Sequence, residues 1–279
     1  MALNPLAVEE LVRRALLEDI GPGDITTEAT VPEGLTCTAV IIAKENGVLC
    51  GHLVAQSTFR AMDPASVYEV LAAEGSTVTA GQQVAHVSGN ARSLLSAERV
   101  ALNFLQRMSG IATTTRRLSE AIKYYPARLV ETRKTTPGLR LIEKYAVRVG
   151  GGLNHRYGLH DAVLIKDNHI ALAGGVRPAV MAARKLASHT SRVEVEVESL
   201  AQLQEAIEAG ADIILLDNMD ADMMRKAVEL VAGKAILEAS GNINAQNLEE
   251  VARTGVDIIS MGALTHSVRA LDLSLEILS

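Results

Sequence analysis

The sequence predicts an α/β protein whose second half forms a (β/α) barrel, closed or incomplete. From Ala127 onward, short apolar runs alternate with amphipathic segments. The runs are ARLVE, DAVLIK, RVEVEV, ADIILLD, KAILEAS and VDIISMG; the segments are 176–187, 200–209, 221–231 and 245–254. Near-continuous apolar strands joined by helices are parallel strands buried on both faces. Six such runs in succession favour a barrel over an open sheet. No GxGxxG follows a strand, which counts against a Rossmann dinucleotide site.

The first half reads differently. Asn4 and Pro5 open a helix as N-cap and first-turn proline, and Leu6, Val8, Leu11, Val12, Ala15 and Leu16 give its apolar stripe. Gly21-Pro22-Gly23 stops it, and GDITT continues as a loop. Residues 36–51 read as strand, turn at Glu45-Asn46-Gly47, strand. A helix over 53–61 follows, then a β-rich stretch over 67–88 with turns at Glu74-Gly75-Ser76 and Ala80-Gly81. That stretch has the rhythm of half a biotinyl or lipoyl carrier domain. A carrier needs a lysine at a hairpin tip, and none lies between Lys44 and Lys123, so it reads as a structural β-sandwich element. Residues 93–123 form a long helix, interrupted at Ser109-Gly110, on which Arg99 and Asn103 share a face. By periodicity alone Arg99 is a solvated helix charge.

Composition removes several function classes. The chain carries 27 Lys+Arg against 33 Asp+Glu, a formal charge of -6, with no Trp and 3% aromatic residues. Scarce aromatics argue against stacking of single-stranded nucleic acid, and the acidic balance argues against a duplex binder. No apolar run is long enough to span a membrane, and the charged, amphipathic N-terminus is not a signal peptide. Cys37 and Cys50 lack metal-ligand spacing and read as reduced core thiols of a cytoplasmic protein.

Against that acidic background residues 131–169 form a cationic island, with Arg133, Lys134, Arg140, Lys144, Arg148, His155, Arg156, His160, Lys166 and His169. These cations sit at element ends among Gly, Thr and apolar residues, as in a pocket for a small, heavily anionic substrate. In barrels of this kind the active site gathers at the C-terminal strand ends. The ends here carry Glu131-Thr132-Arg133-Lys134, Lys166-Asp167-Asn168, Glu196, Asp217-Asn218, Ser240-Gly241-Asn242 and Met261-Gly262-Ala263. ASGNIN and SMGALT place small residues before helix starts, so that backbone N–H groups face the site as a phosphate cradle. Glu196 and Asp217 offer hard oxygens to a divalent ion or to ribose hydroxyls, although Glu194 and Glu198 share the strand parity of Glu196. Lys134 and Lys166 are point charges for phosphate or carboxylate, and Arg133 and Arg156 are forks for carboxylates. His155 either donates to an anion or braces Arg156. No paired nucleophile and base is evident, so catalysis rests on positioning and charge stabilisation. The set describes transfer of a phosphorylated sugar to an acidic small molecule.

ETRKTTPGLR, GGLNHRYGLHDAVLIKDNH, VEVEVES, ADIILLDNM, EASGNI and VDIISMGALTHS, with GDITT and ERVALNFLQRMSGIATTT upstream, resemble in order the motifs of the quinolinate phosphoribosyltransferases (nicotinate-nucleotide pyrophosphorylases, carboxylating). The resemblance covers nearly the whole chain. It implies the type II phosphoribosyltransferase architecture: an N-terminal α/β sandwich domain, 1–110 with the chain returning at 266–279, and a C-terminal incomplete, seven-stranded α/β barrel over 111–265. It implies that phosphoribosyl pyrophosphate and quinolinate give nicotinate mononucleotide, pyrophosphate and CO2 in de novo NAD synthesis, with Mg2+ as the ion. Carried over by position, Thr132, Arg133, His155 and Arg156 bind quinolinate, while Lys134 and Lys166 complete the cationic wall. Glu196 and Asp217 hold ribose and metal, and Ser240, Gly241, Asn242, Met261, Gly262 and Ala263 cradle the 5′-phosphate. Arg99 is implied to reach a neighbour's site in a homodimer, itself free to build a hexamer. Many relatives have Gly-Gly where this chain has Gly241-Asn242; Asn tolerates left-handed backbone, so the cradle is expected to survive. The rivals are a related phosphoribosyltransferase acting on nicotinate or a molybdate-pathway substrate, and a non-catalytic anion-binding barrel. Three arginine forks favour two carboxylates over one, and acids at the strand ends favour an enzyme.

Overall fold

The computed structural model describes residues 2–278; Met1 and Ser279, the outer ends of the expected domain ranges, lie outside them. In chain order the elements are α1 (Pro5–Ile20), α2 (Ile25–Thr30), β1 (Thr36–Ala43), β2 (Gly47–Val48), α3 (His52–Met62), β3 (Val67–Val70), β4 (Thr77–Val78), β5 (Gln83–Asn90), α4 (Ala91–Ala121), β6 (Arg128–Val130) and α5 (Arg140–Val149). Then come β7 (Val163–Ile165), α6 (Asp167–Ala173), α7 (Val176–Leu186), β8 (Val193–Val197), α8 (Leu200–Ala209), β9 (Ile213–Asp217), α9 (Ala221–Val231), β10 (Ile236–Ser240), α10 (Leu248–Ala252), β11 (Ile258–Ser260), α11 (Ala263–His266) and β12 (Leu273–Leu278). The chain packs as two units. One is Met1–Arg116 with Thr136–Gly151 and Ser267–Ser279; the other is Arg117–Thr135 with Gly152–His266. Among the described residues no helix is long and apolar enough to cross a membrane.

In the first unit an antiparallel sheet runs β12-β1-β5-β3. Ile41 and Val87 from its strands join Ala55 and Phe59 of α3 and Leu94, Ala101 and Leu105 of α4 in one buried cluster. Asn4 caps α1 by accepting from the Leu6 N–H at 3.1 Å. Two expectations need correction here. GDITT is not a loop but the start of α2, because Asp24 accepts from the Thr27 N–H at 3.0 Å as a side-chain N-cap. The long helix is unbroken at Ser109-Gly110. Gly110 is there for close approach, since a Cβ on it would collide with the Arg269 carbonyl oxygen. By its contacts α5 groups with the first unit. Its fully buried Glu143 accepts from Arg107 Nε at 2.8 Å and from the Thr136 N–H at 3.1 Å, which holds the segment there.

In the second unit the six apolar runs form one parallel sheet in the order β6-β11-β10-β9-β8-β7. Val195, Leu216 and Ala239 are fully buried in it. The expected seventh strand is reduced to one bridge, Val130 with Leu153, in which Leu153 N–H donates to the Leu129 carbonyl at 2.8 Å. Helices α7, α8 and α9 match the amphipathic segments, whereas α6 went unread. The segment 245–254 yields only the five residues of α10. Asn244 and Asn247 occupy its front with a turn, Asn247 Oδ1 accepting from the Asn244 N–H at 2.8 Å. With α10 and α11 this short, the two late loops present backbone N–H groups without a long helix dipole behind them.

Candidate active site

The C-terminal strand ends of the second unit surround a cavity of about 510 Å³. Its walls include Thr132, Arg133, Lys134, His155, Arg156, Lys166, Glu196, Asp217, Ser240, Gly241 and Asn242, so most of the residues singled out from sequence come together there. Met261, Gly262 and Ala263 are not among the walls. Gly262 instead packs against the side-chain stem of Lys134, leaving 3.1 Å between the Lys134 Cδ and a Cβ placed on it. Arg99 lies on the exposed side of α4, in the first unit. Asn218, one of the strand-end residues, is also in the wall; Leu164, Leu215, Glu238 and Ser260 complete it and were not foreseen. Glu238 had a readable signal: a carboxylate inside an otherwise apolar parallel strand.

Each side chain is held by its element. Lys134 follows β6, and its carbonyl accepts from Thr265 Oγ1 at 2.8 Å. Lys166 precedes α6, its N–H donating to His169 Nδ1 at 2.9 Å, and its ammonium reaches Glu196 Oε2 at 2.7 Å. The parity question on β8 resolves by burial. Glu196 faces the cavity, Glu194 is buried beside His155, and Glu198 is exposed with its N–H on Gln202 Oε1 at 2.8 Å. At the other end Asn218 Nδ2 donates to Asp217 Oδ2 at 2.9 Å, and Asn242 Nδ2 donates to Asn218 Oδ1 at 3.0 Å. Asn218 and Asn242 both have φ 52°, left-handed geometry that Asn tolerates, and Gly241 has φ 92° with no room for a Cβ beside the Asn218 amide.

The electrostatics set the cationic end apart. Burial and the neighbouring Arg133 guanidinium lower the pKa of Arg156. Two like-charged forks therefore face one space, an arrangement that an anion relieves. His155 Nε2 lies 3.3 Å from Glu194 Oε2 and 3.4 Å from Glu238 Oε1, and its Nδ1 lies 2.7 Å from the Arg156 backbone nitrogen. Burial opposes charge on the ring, but the two carboxylates outweigh it and raise the His155 pKa. Burial raises that of Glu194 as well. Both ring nitrogens thus have neighbours within the protein, and the ring also stands in the cavity wall. Ligand-type atoms of His155, Glu194 and Glu238 lie within 4.8 Å of one another. Glu196 and Asp217, in the cavity wall, are the better oxygen donors.

Models for two domains of one family cover the chain in succession: "Quinolinate phosphoribosyl transferase, N-terminal domain" over residues 24–109 and "Quinolinate phosphoribosyl transferase, C-terminal domain" over 111–276. The chain belongs to the quinolinate phosphoribosyl transferase family. Among similar proteins, a probable nicotinate-nucleotide pyrophosphorylase [carboxylating] of Bacillus subtilis (strain 168) is 44% identical over 276 residues, 99% of this chain and 95% of that protein. A mitochondrial quinolinate phosphoribosyltransferase [decarboxylating] 2a of Nicotiana tabacum is 43% identical, covering 96% of this chain and 81% of the relative. The solved nicotinate-nucleotide pyrophosphorylase of Francisella tularensis superposes with a TM-score of 0.95 at 45% identity, covering 99% of this chain and 98% of that one. A human nicotinic acid phosphoribosyltransferase shares the fold alone, at a TM-score of 0.62 and 14% identity. Quinolinate phosphoribosyl transferase membership thus accounts for both units of the chain, with no part of the architecture left over.

Proposed function

We propose that this chain transfers the phosphoribosyl group of phosphoribosyl pyrophosphate to quinolinate and decarboxylates the product, giving nicotinate mononucleotide, pyrophosphate and CO2 for NAD synthesis. The observation that carries the reading is one cavity whose walls combine two arginine forks, two lysines, two carboxylates and a left-handed Gly-Asn turn. Arg133 and Arg156 hold the two ring carboxylates, with Thr132 beside them, and His155 fixes the backbone that carries Arg156. Lys134 and Lys166 face the departing pyrophosphate. Glu196 and Asp217 take the ribose hydroxyls, and Ser240, Gly241 and Asn242 offer N–H groups and side chains to the 5′-phosphate.

Those two carboxylates, both in the cavity wall, suit a magnesium ion that arrives with phosphate oxygens. When bound, it neutralises pyrophosphate charge. The chain's own contribution is alignment and electrostatics. The sugar C1–O bond breaks with its electron pair leaving on pyrophosphate, and the pyridine nitrogen, held by its carboxylates, attacks C1. The ring nitrogen is then positive, so the adjacent C–C bond can cleave with its pair retained on the ring while CO2 departs and a proton replaces it. Arg99 completes the site across a homodimer, and the free thiols Cys37 and Cys50 suit a reducing, cytoplasmic setting.

The test is an assay containing phosphoribosyl pyrophosphate, magnesium and either quinolinate or nicotinate, followed by mononucleotide and CO2 release. Turnover is expected with quinolinate alone. R133A and K134A should each lower kcat/KM by at least about 10²-fold with an unchanged circular dichroism spectrum. Turnover with nicotinate alone overturns the substrate, and unchanged rates in R133A overturn its role.

A further inference from the structure

The two arginine forks come from separate segments, the stretch after β6 that carries Arg133 and the stretch around residue 155 that carries Arg156, and neither lies in a helix or strand. Behind them the strand pairing between the two stretches is the bridge between Val130 and Leu153. Free coil would let the forks drift apart, and a fork-to-carboxylate contact tolerates little drift.

One side chain spans the gap. Glu131 is 0% exposed, and its two oxygens divide between two donors of the second segment. Oε1 accepts from the His155 N–H at 3.1 Å and Oε2 from Asn154 Nδ2 at 2.9 Å. A carboxylate buried this far is costly unless hydrogen-bonded. Here both of these donors belong to the segment that must be held. Glu131 also precedes Thr132 and Arg133 directly, so any shift of its backbone moves that fork. It is not a wall of the cavity, and therefore acts on a ligand only through the groups it holds.

We infer that Glu131 is a positioning residue that sets the spacing between Arg133 and Arg156 to that of two carboxylates on one small ring. The inference rests on the quinolinate reading above and names what makes the site selective for a dicarboxylate. Glu196, Asp217 and the turn at Gly241 stand on other strands, and Lys134, though on the Glu131 segment, has its carbonyl tied to Thr265 Oγ1, so the phosphoribosyl half of the site depends far less on this tie.

The experiment measures both Michaelis constants in E131A, E131Q and N154A. E131A should raise KM for quinolinate by about tenfold or more, the cost of losing a tie to a buried segment, while KM for phosphoribosyl pyrophosphate stays within about twofold. In E131Q the new amide oxygen takes the His155 N–H, and its NH2 donates to Asn154 once that amide turns over. E131Q should therefore restore the quinolinate KM to within about threefold of the parent. A general structural role would move both constants together and give no such rescue. Should E131A fail to fold, N154A, which removes one of the two bonds, carries the test, and an unchanged quinolinate KM there overturns the inference. So does E131Q behaving like E131A. A parent chain that neither binds nor turns over quinolinate overturns the function itself. Parent turnover with both constants shifted alike in E131A overturns Glu131 alone.

Discussion

Asn242 follows Gly241 in left-handed geometry, and its surroundings explain how it is accommodated. Its φ of 52° is reachable for Asn, and its amide joins a short chain of hydrogen bonds through Asn218 to Asp217. The residue thus does two things: it completes the turn and it orients a carboxylate of the proposed ribose site. N242A loses the bond and strains the turn, each worth about 1 kcal/mol, and should lower kcat/KM for phosphoribosyl pyrophosphate about tenfold or more. N242G keeps the turn and loses only the bond, so it should fall between. Steady-state kinetics with each substrate varied checks this, and an effect confined to quinolinate would contradict it. At this scale the sequence was partly legible. Cations and acids at strand ends were visible because hydropathy marks the ends. Glu238 was overlooked, and the tie made by Glu131 was hidden, because each acts through a neighbour that is distant in sequence.

Among the elements, the six parallel strands and helices α1, α3, α7, α8 and α9 were legible because burial on one or both faces imposes a period. The short elements were not. A six-residue helix such as α2 has too few turns to show a period, and its one signal was Asp24 ahead of Thr27. That cap is testable. The Thr27 N–H holds the Asp24 carboxyl below its usual range, with a smaller contribution from Ser96 Oγ at 2.9 Å from Oδ2. The stabilisation is thus fully present above the unfolded value of about 4 and is lost as pH falls through the lower, folded value. D24A should cost about 1 kcal/mol at pH 7. In urea unfolding the gap between parent and D24A should narrow on going from pH 7 to pH 3; a gap that widens would refute the cap. The excursion of α5 was illegible for a different reason. Its anchor is the pairing of Glu143 with Arg107, 36 residues away, and helical periodicity says only that such a face is buried, not against what.

For the molecule as a whole, the open proposition is that Arg99, exposed on α4, serves the cavity of a second copy. Mixing tests it. R99A and K134A chains, each about 10²-fold down alone, should regain activity when unfolded together and refolded, because a mixed pair holds one site with both residues. Mixtures as inactive as their parts would place Arg99 outside the reaction, and sedimentation would report whether the dimers assemble further. The return of the chain end bears on something else, the order in which the molecule is made. β1 pairs with β12, and Lys44 meets Glu276 across 232 residues at 2.8 Å. A chain emerging from the ribosome therefore has the first strand of this sheet long before its neighbour on that side. Until then β1 carries an unpaired edge, the kind that recruits other strands. Synthesis of this protein thus includes a long interval in which its first sheet is unfinished, and a stop codon ahead of β12 leaves it so permanently.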